Sequence, residues 1–80
     1  MNTLTYLRRQ IWVKENLALA RKCCLGSYTP LTIRAAAEEL GVDHRQIGRW
    51  EDPNGGAPEG KRLEKVVRWM EKRLGVKAPE

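Results

Sequence analysis

The placement of glycine and proline constrains this chain more than any other feature of its sequence. Neither residue occurs between Thr5 and Cys24, where good helix formers dominate. Further on, glycines and prolines separate three shorter stretches with helical apolar spacing, and no strand-like alternation occurs. The 80 residues suffice for one small domain with one core. We therefore expect residues 1–80 to form a single compact all-α domain of four or five helices with a long first helix.

The first predicted helix, from Thr5 to Cys24, is apolar on several sides. The i, i+4, i+7, i+11 spacing of a core-facing stripe is met by Val13, Leu17, Ala20 and Cys24. Two further apolar stripes lie on other sides of the helix, one formed by Trp12, Leu19 and Cys23 and the other by Leu4, Leu7, Ile11 and Ala18. A helix of this kind needs more than one surface to pack against.

Two short helices are predicted within residues 32–51, on either side of Gly41. Asp43 is a suitable N-cap for the second helix, and Gln46 follows three residues later, which is the spacing of a capping box. Ala37 is small where the following helix has to cross closely, and Gly41 permits the sharp turn between the two. The spacing predicts a helix-turn-helix.

The chain after this unit contains one more predicted helix. A polar stretch rich in glycine and proline covers residues 52–58 and fits neither a helix nor a strand. An amphipathic pattern then predicts a final helix over residues 59–74, closed by Gly75. Residues 76–80 are expected to fray.

The segment from Leu31 to Glu51 resembles the Cro/CI-type (XRE) helix-turn-helix DNA-binding family. The family pattern LTxxxLAxxLGV, followed by a polar N-cap and xxxIxxWE, is matched at Leu31-Thr32, Ala37, Leu40-Gly41-Val42, Ile47 and Trp50-Glu51. The segment is also similar to phage CII-type transcriptional activators, whose form AExxGVDxxQIxRW is matched at Ala37-Glu38, Gly41-Val42-Asp43, Gln46-Ile47 and Arg49-Trp50. The resemblance implies a lambda-repressor-like fold and a transcriptional regulator that binds a double-stranded DNA operator.

The resemblance also implies which residues contact DNA. In the family's docking geometry, the helix over residues 44–51 lies in the major groove. Contacts to base edges are then expected from His44, Arg45, Gln46, Gly48 and Arg49, and contacts to phosphates from Thr32, Arg34, Lys61 and Arg62. The net charge of +5 favours an anionic partner, although DNA, RNA and an acidic membrane all satisfy charge alone.

A homodimer is expected, because helix-turn-helix proteins usually place two recognition helices about 34 Å apart on one face of the duplex. The interface residues predicted from the apolar stripes are Trp12, Leu19, Cys23 and Trp69. Repression is favoured over CII-like activation. An antitoxin or adaptor that binds a protein partner remains an alternative, whereas the helical pattern of residues 59–74 disfavours a winged helix.

Several other classes are disfavoured by the composition. The only two cysteines, Cys23 and Cys24, are adjacent, which does not provide a disulfide framework and favours a reduced, cytoplasmic location. Together with His44 they supply too few soft ligands for a metal site. No catalytic triad, phosphate-binding loop, signal peptide or apolar membrane span is present, so we expect no enzyme, no cofactor and no membrane association.

Overall fold

A computed structural model describes residues 2–80, which form four α-helices and no strand. In chain order these are α1 (Thr3–Arg21), α2 (Ile33–Leu40), α3 (His44–Glu51) and α4 (Gly60–Leu74). The prediction of an all-α domain with a long first helix is confirmed. The last helix begins one residue later than expected, because Glu59 has an extended backbone and acts as its N-cap.

Each of the four helices turns one side toward a single core. Helix α1 packs against α3 and α4, and α2 packs against α3 and α4 as well. The largest fully buried apolar side chains of this core come from all four helices and include Leu17, Leu40, Ile47, Leu63 and Met70. Because α3 packs against both α1 and α2, its position is fixed from two sides.

The caps predicted for the two short helices are present. The Thr32 hydroxyl accepts a hydrogen bond from the Ala35 backbone N–H at 3.1 Å, and the Asp43 carboxylate accepts one from the Arg45 N–H at 2.8 Å. Gly41 ends α2 in the left-handed conformation, with φ of 69°. The capping box is only half formed, because within residues 2–80 the side chain of Gln46 accepts no hydrogen bond from the Asp43 N–H.

Helix α1 stops at Arg21, three residues earlier than predicted. The Arg21 carbonyl accepts a hydrogen bond from the Leu31 N–H at 2.8 Å, so the chain turns away from the helix axis here. As a result Cys24 is exposed, and its prediction as a core residue is wrong. Cys23 is half-buried, and its thiol donates to the Arg73 carbonyl at 3.0 Å.

The C-terminal segment, residues 76–80, is packed against the domain where fraying was expected. Ala78 is only 6% exposed, and its N–H donates to the Glu71 carboxylate at 2.8 Å. From α1, the Arg9 side chain donates to the Pro79 carbonyl at 3.0 Å. The segment therefore joins α1 to α4 and extends the core.

Candidate nucleic-acid interface

Helix α3 has one buried side and one open side. Ile47 is fully buried and Trp50 is 5% exposed, so both anchor the helix in the core. Four of the predicted base-contacting residues, His44, Arg45, Gly48 and Arg49, lie within an arc of about 140° on the opposite side. The structure thus brings these residues together on one solvent-facing surface, which we call the α3 outer face.

Arg45 lies in solvent at the start of this face. Its side chain is 78% exposed and forms a local ion pair, with its Nη2 atom 3.2 Å from the Asp43 Oδ2 atom. The hydrogen bonds from the Arg45 side chain and then from its backbone lower the pKa of Asp43 to about 2, and the same pair raises the pKa of Arg45. Because Nε and Nη2 both donate to Asp43, this edge of the Arg45 guanidinium can bind a base bidentately only after Arg45 leaves Asp43.

Arg49 is exposed at the other end of the face. No carboxylate lies within ion-pairing distance of it among residues 2–80. It lines a concavity together with Gln46, which is half-buried, and with Arg62 from the first turn of α4. The predicted phosphate ligand Arg62 therefore lies beside two predicted base ligands.

The other edge of the α3 outer face is flanked by α2. Arg34, exposed in the first turn of α2, lines a shallow concavity with Asp43 and His44. The imidazole of His44 is 40% exposed, with its Nδ1 atom 3.6 Å from the Asp43 carboxylate. Thr32 lies just before Arg34, and its hydroxyl already caps α2. Arg34 and Arg62 thus flank the α3 outer face on opposite sides.

Lys61 does not join this arrangement directly. It lies beside the turn between α2 and α3, together with Lys65. The exposed side of α4 carries a row of cations at i, i+4, i+7 and i+11 spacing, namely Lys61, Lys65, Arg68 and Lys72. The spacing is visible in the sequence, but only its first member, Lys61, is among the predicted DNA ligands.

The C-terminal end of α3 is held to α1 by two cations that sequence analysis did not identify. Arg21 and Glu51 form a bidentate ion pair, with N–O distances of 2.7 and 3.0 Å, and the hydrogen bonds that Arg21 donates to Glu51 raise the pKa of Arg21. The Lys14 ammonium donates to the carbonyls of Asp52 and Gly56, both at 2.8 Å. Glu51 therefore has a structural role, because its ion pair with Arg21 fixes the C-terminal end of α3 against α1.

The loop after α3 also restricts the shape of this surface. Gly55 approaches α3 so closely that a Cβ atom at this position would overlap the carbonyl oxygen of Arg49. Gly48, in contrast, has no atom within 4 Å of the position of a Cβ. Of these two positions, packing within the chain requires glycine only at 55. Gly48 leaves the middle of the α3 outer face without a side chain.

Three of the four residues predicted for a dimer interface pack within the protomer. Trp12 and Trp69 are half-buried against the core, and the Trp69 indole N–H donates to Glu39 at 2.9 Å. Cys23 is half-buried as described above. Leu19 alone is exposed, at 61%.

Within residues 2–80, no three His, Cys, Asp or Glu side chains come together as metal ligands. None of the four helices has the length and apolar character needed to cross a membrane.

Comparison of the chain with protein-family models, curated proteins and solved structures finds no match. The function is therefore inferred from the side chains of this chain and their geometry.

Proposed function

We propose that the chain is a sequence-specific DNA-binding transcriptional regulator whose α3 lies in the major groove. One observation carries the proposal: α3 is anchored along one side while its outer face is polar, cationic and open to solvent. An α-helix with side chains is about 10–12 Å across, which matches the width of about 12 Å of the major groove of B-DNA. The resemblance of residues 31–51 to helix-turn-helix regulators supports the same assignment.

The roles proposed for the base-contacting residues follow from their donors and positions. Arg45 and Arg49 carry the planar donor pair that fits guanine O6 and N7, a contact that discriminates by about 1–3 kcal/mol. Gln46 can bind adenine bidentately, since its amide is not used in a capping box. Gly48 lets the backbone approach the floor of the groove, and His44 is the first residue of α3.

The proposed phosphate contacts flank these residues. Arg34 lies on one side and Arg62 on the other, and they would bind the DNA backbone strands that border a major groove. The first N–H groups of α2, next to Thr32, point in the direction that favours an anion. Lys61 would add charge from the start of α4. Such contacts hold the domain on DNA without reading its sequence.

Repression is the regulatory effect that we propose. A domain seated in the major groove excludes other proteins from the same base pairs without any additional contact. CII-like activation would further require a surface that binds RNA polymerase. The proposed role on an operator places the protein in the cytoplasm.

Selection of bound duplexes from a random pool tests the proposal. We expect enrichment of a short motif that contains guanines, and a steep loss of affinity with increasing salt because phosphate contacts release counterions. The matched control is Arg68→Ala, an exposed cation on α4 away from α3, which should select the same motif. Recovery of no motif by the wild-type chain at low salt would contradict the proposal.

A further inference from the structure

We infer that the solvent-facing side of α1 binds the same side of α1 in a second copy of the chain, with the two helices antiparallel. Four large apolar side chains of this helix remain in water. Their exposed fractions are 56% for Leu4, 48% for Leu7, 58% for Ile11 and 61% for Leu19. An exposed apolar surface concentrated on one helix is typical of an interaction site.

The apolar residues of α1 have the spacing of a short coiled-coil seam. Leu4, Leu7, Ile11 and Ala18 occupy a, d, a and a positions of a heptad repeat. The remaining d position is Lys14, whose ammonium is directed away to the carbonyls that follow α3. The stem of Lys14 can line the seam while its charge stays satisfied within its own protomer.

Two charged residues beside the seam specify how the helices pair. Arg8 and Glu15 are seven residues apart, are both exposed, and lie on the same flank of the seam. A two-fold axis beside Ile11 and Trp12 would place each Arg8 opposite Glu15 of the second copy, and each Leu4 opposite Leu19. A parallel pair would place this flank of the two helices on opposite sides of the seam, so that Arg8 and Glu15 would not meet and the charge pairs would be lost.

Both charged groups are available for this contact. Arg8 uses one nitrogen, Nη1, to donate to the Glu80 carbonyl at 3.0 Å, which leaves its other donors free. Glu15 has no cation within 4.0 Å of its carboxylate among residues 2–80.

A second copy fits this surface because the surface is complementary to itself. In a two-fold interface, residue i contacts residue j and j contacts i, which is the relation that Arg8 and Glu15 would have. The contact extends over about 22 Å, from residue 4 to residue 19, so the interface is small and the Kd of the dimer should be about micromolar or higher. The inference goes beyond the proposed function, since the dimer forms without DNA.

Sedimentation equilibrium without DNA tests the pairing. We expect the wild-type chain to shift with concentration from 9.2 kDa toward twice that mass. Arg8→Glu alone and Glu15→Arg alone should each weaken the dimer by at least about tenfold, because each places like charges opposite one another twice. The double variant Arg8→Glu/Glu15→Arg, and an equimolar mixture of the two single variants, should both restore it.

Two further variants separate this interface from a general effect of charge. Arg68→Glu makes the same change of charge on the exposed side of α4 and should leave the dimer unchanged. Ile11→Arg, in the centre of the seam, should abolish the dimer while circular dichroism shows an unchanged helical content.

Three results would overturn the inference. The first is a wild-type chain that stays monomeric up to about 1 mM, where only the weakest specific association escapes detection. The second is a dimer that Ile11→Arg leaves intact. The third is a failure of both the double variant and the mixture to restore association while the proteins remain folded. A monomer that still selects one DNA motif would overturn the dimer and leave the role of α3 intact, whereas a dimer that binds no DNA would do the reverse.

Discussion

The cations of this domain divide into an inward and an outward set. Arg73 is 3% exposed and donates to the carbonyls of Ala20 and Thr29, both at 2.7 Å. Arg45, in contrast, is 78% exposed, and Arg49 also lies in solvent. All three residues are arginines. They differ in position, because Arg73 lies beside the end of another helix, whereas Arg45 and Arg49 face solvent.

The inward cations stabilise places where helices end. The last carbonyls of a helix have no partner within it and form the negative end of its dipole. Arg73 satisfies these groups at the end of α1, and Lys14 does the same at the end of α3. The net charge of +5 therefore overstates the positive charge that a binding partner would contact, because several cations already bond to carbonyl groups within the fold.

Arg73→Met should produce the largest loss of stability. The variant keeps much of the apolar stem but removes hydrogen bonds to four carbonyl oxygens, of which those of Cys23 and Thr29 have no other donor among residues 2–80. We expect a decrease of about 2–4 kcal/mol in the free energy of unfolding. Urea denaturation followed by circular dichroism measures it. The control is Arg68→Met, five residues earlier on the exposed side of α4, which should change the free energy of unfolding by less than about 0.5 kcal/mol. Equal effects of the two variants would remove the distinction between inward and outward cations.

Gly55→Ala tests whether the loop after α3 is as closely packed as the structure shows. The added methyl group would overlap the Arg49 carbonyl, and we expect a destabilisation of about 1–3 kcal/mol. Gly56→Ala is the matched control, since no atom lies within 4 Å of a Cβ there. Thermal unfolding of both variants makes the comparison, and equal melting temperatures would contradict the close approach.

Arg49→Ala should act on DNA recognition and leave folding unchanged. We expect a loss of about 1–3 kcal/mol in the preference for one base pair of the selected motif, with an unfolding free energy within about 0.5 kcal/mol of the wild type. Arg34→Ala should weaken binding to all duplexes alike and reduce the salt dependence. Fluorescence anisotropy with matched and mismatched duplexes distinguishes these outcomes. A uniform loss from both variants would refute the separate roles.

Much of the fold could be predicted from local sequence, because its signals are local. Thr32, Gly41 and Asp43 act as caps through bonds that reach no further than a few residues. The open face of α3 follows from the same periodicity that buries Ile47 and Trp50.

The errors arose where distant residues decide the outcome. Cys24 continues the apolar spacing of α1, but the helix ends earlier where Leu31 and Arg73 bond to its last carbonyls. The docking of Ala78 likewise depends on Glu71 and on side chains of α1 that no local pattern relates to it. Trp12 and Trp69, predicted at a dimer interface, are half-buried against the core of the protomer, an arrangement that their spacing along the helices alone did not reveal.

Gly48→Ala should have a smaller effect, which raises the stability of the domain and weakens its binding to DNA. Alanine in the middle of α3 should stabilise the domain by about 0.5–1 kcal/mol, because glycine is a poor helix former and the site has room. On the α3 outer face the methyl group should weaken DNA binding, if the backbone approaches the groove as proposed. Paired measurements of unfolding and binding test this, and a gain in both would contradict the proposed approach.

The smallest effect concerns the pH dependence of the local pair at the start of α3. The pKa of Asp43 lies at about 2 in the folded chain, below its ordinary value, mainly because of the hydrogen bond from the Arg45 side chain. The stability that this carboxylate contributes is therefore complete above about pH 4 and is lost as the pH falls through about 2. A carboxyl-carbon NMR titration should give this midpoint, and Arg45→Ala should raise it. A wild-type midpoint near the ordinary value would show that the pair does not form.

Mapping of amide chemical-shift changes on the folded chain, as the selected duplex is added, tests the central claim most directly. We predict that the largest changes occur at residues 44–49, with smaller ones at residues 32–34 and 61–62 and little change along the exposed side of α1. Changes concentrated on α1 or on the cation row of α4, with residues 44–49 unaffected, would contradict it.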